Sequence, residues 1–108
     1  MIFFTLRVKV PGDRRKDFLG SARLITGPTE VQKGCLRSRL YQELGDPDTM
    51  LFVEEWESRE ELEHHIKSDR YRIILSLMDL SDMPPEVKLN TVSKTEGLEA
   101  IEKVRGLD

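Results

Sequence analysis

The sequence contains few of the residues that build disulfide or metal scaffolds. It has one cysteine, Cys35, and two histidines, His64 and His65, in 108 residues. A single cysteine cannot form an internal disulfide, so a secreted, disulfide-stapled domain is not supported and a reducing cytoplasm is favoured. Adjacent helical residues point about 100° apart, which makes the two histidines a poor pair of metal ligands. We therefore expect no metal site, an inert Cys35 and a cytoplasmic location.

Long apolar runs and blocks of one charge are also missing. Arg7 and Lys9 interrupt the apolar N-terminus too early for a signal-peptide core or a membrane span. The formal net charge is −3, and the only run of three cations, residues 14–16, is flanked by aspartates. Phosphate-binding glycine loops and nucleophile elbows do not occur in the sequence. We expect neither a nucleic-acid partner nor a membrane partner.

Hydrophobic periodicity indicates a single domain with four strands. The first strand is the clearest, because apolar residues alternate from Ile2 to Val10. A helix follows from an Asp13 N-cap to Gly27-Pro28, and a Thr29–Gln32 capping box opens a further turn. Two strands at about 35–41 and 50–57 are joined by a turn at 45–48. A Ser58–Glu61 capping box opens the next helix, and Ser68 caps another in which Tyr71, Ile74, Leu75 and Met78 face inward. The last predicted elements are a strand at about 86–93 and a helix at 98–104.

This order predicts an α+β, ferredoxin-like fold, in which a four-stranded antiparallel sheet carries its helices on one face. We expect one domain over residues 1–93, followed by a C-terminal helical tail over residues 94–108.

Such a fold leaves the other face of the sheet uncovered. The residues predicted on that face are Phe3, Arg7, Cys35, Arg37, Arg39 and Tyr41. They are too apolar as a set to remain in water. An isologous homodimer with the two sheets face to face would bury the aromatic side chains and bring the arginines to acids such as Glu55 and Glu57.

The helix-covered face is apolar except for a few polar side chains, which are the candidate site residues. They are Trp56 and Glu54 of the third strand, Ser38, Thr91 and His65. An apolar cavity with a few convergent polar groups is the usual form of a small-molecule site. The third strand could face either way, because Leu51 and Val53 compete with the set that contains Glu54 for the inward side.

His65 is the candidate base. It lies one helical turn after Leu62, at the edge of the inward stripe, whereas His64 points more nearly to solvent. Near neutral pH a histidine can accept a proton or donate a hydrogen bond to a ligand. The structural alternatives are a histidine that packs its helix against the sheet, a core tryptophan at Trp56 and a packing tyrosine at Tyr71.

Two stretches together resemble the antibiotic biosynthesis monooxygenase-like family of dimeric α+β barrels. They are Gly34–Tyr41 and Val53–Ser58, the second followed by Leu62, His65, Ser68 and Tyr71. The resemblance spans about residues 2–93. In the motif Trp56-Glu57-Ser58 and in His65 the chain is closest to quinol monooxygenase-type members. These oxidise hydroquinones with dioxygen and use neither metal nor flavin.

The resemblance implies a cofactor-independent monooxygenase acting on a quinol or another electron-rich phenolic molecule. A deprotonated phenol can pass an electron to dioxygen, so the protein must supply a base, a dry cavity and orientation. His65 would be the base, Trp56 a cavity wall and Tyr71 a hydrogen-bond partner. The expected site combines catalytic His65 and Tyr71 with the ligand-binding residues Trp56, Phe4, Phe52, Glu54, Ser38, Leu62 and Leu75.

Other branches of the family match less well or lead elsewhere. Polyketide-type oxygenases carry a tyrosine and an asparagine where this chain has Leu62 and Phe52, and haem-degrading members carry an iron-binding histidine where it has Leu75. Isomerases of phosphorylated autoinducer sugars share a histidine like His65 and a tyrosine like Tyr71. An isomerase and a non-catalytic small-molecule-binding barrel therefore stay open as alternatives.

Overall fold

The computed structural model describes residues 1–107, which form four strands and four helices. Asp108, the last residue of the predicted tail, lies outside the described residues. The elements are β1 (Ile2–Lys9), α1 (Gly12–Glu30), β2 (Cys35–Glu43), β3 (Asp46–Trp56), α2 (Arg59–Ile66), α3 (Tyr71–Asp79), β4 (Glu86–Thr91) and α4 (Leu98–Arg105). The strands pair antiparallel in the order β2-β3-β1-β4, which confirms the ferredoxin-like α+β fold.

The core lies between the sheet and the helices α1 and α3. Every second residue of β1 is buried there, and the intervening residues are only partly covered on the open face. On β3, Phe52, Glu54 and Trp56 face the same core. Burying one phenylalanine stabilises a fold by about 2 kcal/mol, and a strand has a period of two. The burial of Phe52 and Trp56 therefore fixes the facing of β3 and carries Glu54 inside with them.

Helix α1 continues beyond the stop that Gly27-Pro28 was expected to impose. It runs to Glu30, with Pro28 in its last turn. Proline lacks the N–H that would bind the carbonyl of Leu24. Leu24 is 62% exposed, so water can bind near this turn. Thr29 consequently lies buried within the helix, and the predicted capping box that begins there is wrong.

Two of the other three predicted N-caps are also wrong. Asp13 lies in the first turn of α1, which has no side-chain cap. Ser68 does not cap α3, since its hydroxyl donates to the carbonyl of His65 at 2.6 Å. Ser58 is confirmed as the cap of α2, because its Oγ accepts from the N–H of Glu61 at 3.4 Å.

The β2–β3 hairpin is longer and tighter than predicted. Its turn consists of residues 44–45 rather than 45–48. Asp46 instead opens β3, where its carboxylate accepts from the hydroxyl of Thr49 at 2.7 Å and from the N–H of Asp48 at 3.2 Å. These contacts hold the aspartates in the strand, although their residue type is typical of turns.

An irregularity at the start of β2 moves Cys35 away from its predicted place. The register shifts between Cys35 and Arg37. Cys35 therefore packs on the helix-covered side against Ile2, Trp56 and Leu62, and its assignment to the open face was wrong.

The C-terminal part of the chain is less covered. All six residues of β4 are exposed in the single chain. Thr91 pairs with the buried Ile2, so it lies on the helix-covered side of the sheet as expected, but no helix covers it. Helix α4 has no buried residue. Among residues 1–107, no helix combines the length and apolar character needed to cross a membrane.

Candidate active site

Glu54 is the deepest charged residue of the candidate site. It is 0% exposed and lies on β3 between two buried aromatic side chains. Its neighbours across the sheet are Ser38 on β2 and Phe4 on β1. A buried carboxylate is costly unless it is paired and hydrogen-bonded, so the groups that contact it define the site.

Two side chains bind the carboxylate of Glu54. The indole Nε1 of Trp56 donates to Oε1 at 3.0 Å, and Nε2 of His65 lies 3.3 Å from Oε2. Trp56 reaches Glu54 because residues two apart on a strand share a face. Ser58 caps α2 immediately after β3, and the helix brings His65 back over the end of the strand.

The imidazole of His65 is enclosed by aromatic rings. Its centroid lies 4.9 Å from that of the Trp56 indole, with the planes 30° apart. The ring of Tyr71, at the start of α3, meets it edge-on at 5.4 Å and 88°. Such contacts prefer defined geometries, so Trp56 and Tyr71 together restrict the orientation of the imidazole.

Glu54 also influences the ionisation of two neighbours. Burial, followed by the negative charge of Glu54, raises the pKa of the Tyr71 phenol from 10.0 to about 12. The same two causes, in the same order, raise the pKa of the Cys35 thiol from 9.0 to about 11. Near neutral pH Tyr71 therefore keeps its proton and can donate it in a hydrogen bond, and Cys35 stays a thiol with little nucleophilic character.

Two buried polar atoms beside this group have no hydrogen-bond partner among residues 1–107. They are Nδ1 of His65 and Oγ of Ser38. Unsatisfied buried polar atoms are uncommon and often mark a catalytic group or the place of a water or ligand. Both atoms belong to residues that contact or neighbour Glu54, so they extend the site beyond the paired carboxylate.

Two surface clefts flank the site. The larger, about 740 Å³, runs beside α2 and contacts Trp56 and His64. The smaller, about 300 Å³, lies between α1 and β2 and contacts Ser38. His65 lines neither of them, and Phe4 and Phe52 pack edge to face in the core with centroids 6.4 Å apart.

The structure thus brings most of the expected residues together. Those that lie in or against the group are His65, Tyr71, Trp56, Glu54, Ser38, Phe4 and Leu62. Leu75 is 49% exposed on the outer side of α3, and its predicted inward position was wrong. Leu77 takes the buried place, since Tyr71, Ile74 and Leu77 form the inward stripe. The link from Glu54 to both Trp56 and His65 was not predicted, although the spacing Glu-x-Trp was visible in the sequence.

A sequence model of the antibiotic biosynthesis monooxygenase family matches residues 1–74. The chain therefore belongs to the antibiotic biosynthesis monooxygenase family. An uncharacterized protein of Synechocystis is 24% identical to it over 92 residues, which are 84% of this chain and 63% of that protein. This chain thus spans less than two thirds of that relative's length.

Solved structures share the architecture. A conserved protein from Methanosarcina mazei is 27% identical, with a TM-score of 0.76, over 82% of this chain and 89% of that one. Rv0793 from Mycobacterium tuberculosis is 20% identical, with a TM-score of 0.79, over 89% and 98%. A protein described as an antibiotic biosynthesis monooxygenase is 20% identical, with a TM-score of 0.77, over 87% and 100%. At such identities the last two likenesses concern the fold alone.

The raised pKa of Tyr71 yields a pH prediction. A phenol whose pKa is higher in the folded state contributes stability that is complete below pH 10.0 and is lost as the pH rises towards about 12. Absorbance of tyrosinate should therefore show a late component near that pH, which Tyr71→Phe removes and Tyr41→Phe leaves in place. Loss of the late component in Tyr41→Phe instead would contradict the burial of Tyr71 beside Glu54.

Proposed function

We propose that this protein is a cofactor-independent monooxygenase that oxidises a quinol or another electron-rich phenolic small molecule with dioxygen. The observation that carries the proposal is the buried imidazole of His65, bound to Glu54 and stacked on Trp56. Such an imidazole is a base in a water-poor setting. Membership of the monooxygenase family supports the class of reaction.

The reaction needs no external reductant. His65 takes a phenolic proton, and the phenolate passes one electron to dioxygen. The resulting radical pair combines at a ring carbon, and the peroxide takes up a proton. Loss of water from this hydroperoxide leaves a hydroxyquinone, so one oxygen atom enters the ring and the other leaves as water. The quinol supplies all four electrons that dioxygen accepts.

Tyr71 has a separate role in this proposal. Its phenol is protonated near neutral pH, and burial followed by the charge of Glu54 raises its pKa further, to about 12. Its ring packs perpendicular to that of His65, so its hydroxyl can donate a hydrogen bond to a substrate or peroxide oxygen beside the imidazole. We also propose a cytoplasmic location, which the single Cys35 favours.

A non-catalytic small-molecule-binding barrel is the second candidate. It is favoured by the absence of His65 from the linings of the two clefts described above, because a ligand bound in either cleft would not contact the imidazole. Such a protein would bind an apolar aromatic ligand without turning it over. Trp56 is the single tryptophan of the chain, so quenching of its fluorescence reports binding at the site.

Oxygen uptake with menadiol separates the two functions. The wild type should accelerate uptake above the uncatalysed rate, and His65→Ala should lose about 100-fold or more of this activity because it removes the base. His64→Ala is the matched control, since His64 is the exposed neighbour, and should keep it. Quenching of Trp56 by menadiol with no accelerated uptake would instead establish the binding barrel.

We also propose that the open sheet face pairs with the same face of a second copy. This face carries Leu51 and Val53 at its centre, and Val53 is already 6% exposed in the single chain. Arg37 lies 3.5 Å from Glu55 of its own chain, so this charge is partly neutralised before pairing. A sheet face with an apolar centre and internally paired charges suits an isologous interface.

Sedimentation equilibrium tests the pairing. The wild type should have twice the mass of one chain, and Leu51→Lys should give a monomer because it places a charge in the interface. Leu24→Lys, on the exposed side of α1, should remain dimeric. A monomeric wild type at micromolar concentration would rule out this interface.

A further inference from the structure

The contacts of Glu54 determine more than the place of His65. We propose that Glu54 is a positioning residue that fixes the tautomer of His65, with the proton on Nε2, so that Nδ1 is the atom that accepts the substrate proton. The catalytic half of this inference rests on the proposed function. The tautomer is a property of the folded chain and can be measured without any substrate.

Trp56 orients the carboxyl group of Glu54. An indole nitrogen can only donate a hydrogen bond, so Oε1 of Glu54 must be the acceptor in the 3.0 Å contact. This contact sets the rotation of the carboxyl group about its last bond. Oε2 is thereby directed at Nε2 of His65, 3.3 Å away.

The hydrogen between Glu54 and His65 belongs to Nε2 of the histidine. An ionised carboxylate only accepts, so Nε2 must carry the hydrogen, and in the neutral ring Nδ1 then holds the free electron pair. The opposite arrangement, a protonated Glu54 donating to Nε2, would place the hydrogen on Nδ1. That atom is buried and has no acceptor among the described residues 1–107. Buried N–H donors without an acceptor are rarer than unsatisfied acceptors, which favours the hydrogen on Nε2.

Two neighbouring aromatic rings fix the orientation of the His65 imidazole. The Trp56 indole packs against one face of the imidazole, and the Tyr71 ring packs perpendicular to it. Both contacts oppose the ring flip that would exchange the positions of the two nitrogens. Nδ1 is therefore held as the free basic atom, and when it takes a proton the imidazolium stays bound to Glu54 by a charge-assisted hydrogen bond.

Nitrogen-15 NMR of the imidazoles measures the tautomer directly. In the wild type near neutral pH, His65 should show a protonated Nε2 and an unprotonated Nδ1. His64 is the other histidine in the chain, so a His64→Gln spectrum assigns the signals. A proton on Nδ1 of His65, in either the neutral or the doubly protonated ring, would overturn the inference.

Two variants test the part played by Glu54. In Glu54→Gln the amide oxygen must still face the N–H of Trp56, so the amide NH₂ faces Nε2 and the proton of His65 should move to Nδ1. In Trp56→Phe the carboxylate remains, and the tautomer should stay as in the wild type. Each variant removes a charge or a hydrogen bond from the group. If the role of Glu54 were purely structural, its replacement would not move the proton of His65. An unchanged tautomer in a folded Glu54→Gln protein would contradict the assignment.

Activity then connects the tautomer to the reaction. Glu54→Gln should lower kcat for menadiol oxidation by about 100-fold or more, because the free base at Nδ1 is lost, with a smaller change in KM. If the tautomers behave as described but the wild type consumes no oxygen, the proposed function fails and the positioning role stands. If the wild type is active but its His65 carries the proton on Nδ1, the positioning role fails and the function stands.

Discussion

The candidate site depends on the burial of one carboxylate, that of Glu54. Its two oxygens are bound by Trp56 and His65, and all three side chains are buried. Removing one partner of a buried charged pair costs about 3–5 kcal/mol, whereas a well-packed apolar replacement of the whole pair is often neutral or stabilising. Stability alone therefore does not require this group. A polar cluster that apolar residues could replace is more readily explained by chemistry than by folding.

The strand β3 connects this site to the open face. Glu54 points into the core, and its neighbours Val53 and Glu55 point to the other side of the sheet. Because a strand has a period of two, a shift of β3 by one residue would exchange the two sets of side chains. A partner on the open face would thus hold in place the same strand that carries Glu54 and Trp56.

Much of the fold could be predicted from the sequence. The alternation in β1 and the order of the elements are strong local signals, and together they specify the ferredoxin-like topology. The inward position of His65 could also be predicted from the sequence. Its phase relative to Leu62 on one helix places it inward and His64 outward, as the structure confirms.

The errors arose where tertiary contacts override local signals. Helix α1 passes Pro28 because only one hydrogen bond is lost, on its exposed side, while Thr29 gains a buried position. Cys35 changes sides through a register shift that no single-sequence pattern reveals. Leu75 and Leu77 are both leucines on a short helix, so the hydrophobic pattern alone did not decide which of them would be buried.

The contacts of Glu54 were beyond sequence reasoning for a similar reason. Both sets of residues on β3 contain apolar side chains, so periodicity left its facing open. Packing of Phe52 and Trp56 against the helices settles it, and the link to His65 exists only once α2 folds back over the strand. The spacing Glu-x-Trp was visible in the sequence, but its partner lies eleven residues further along, on another element.

The most direct test of the account is a crystal structure with menadiol bound under anaerobic conditions. We expect a phenolic oxygen within hydrogen-bonding distance of Nδ1 of His65, between Trp56 and Tyr71. Menadiol bound instead in the cleft beside His64, with the imidazole of His65 out of reach, would contradict the central claim that the Glu54–His65 pair is the working site.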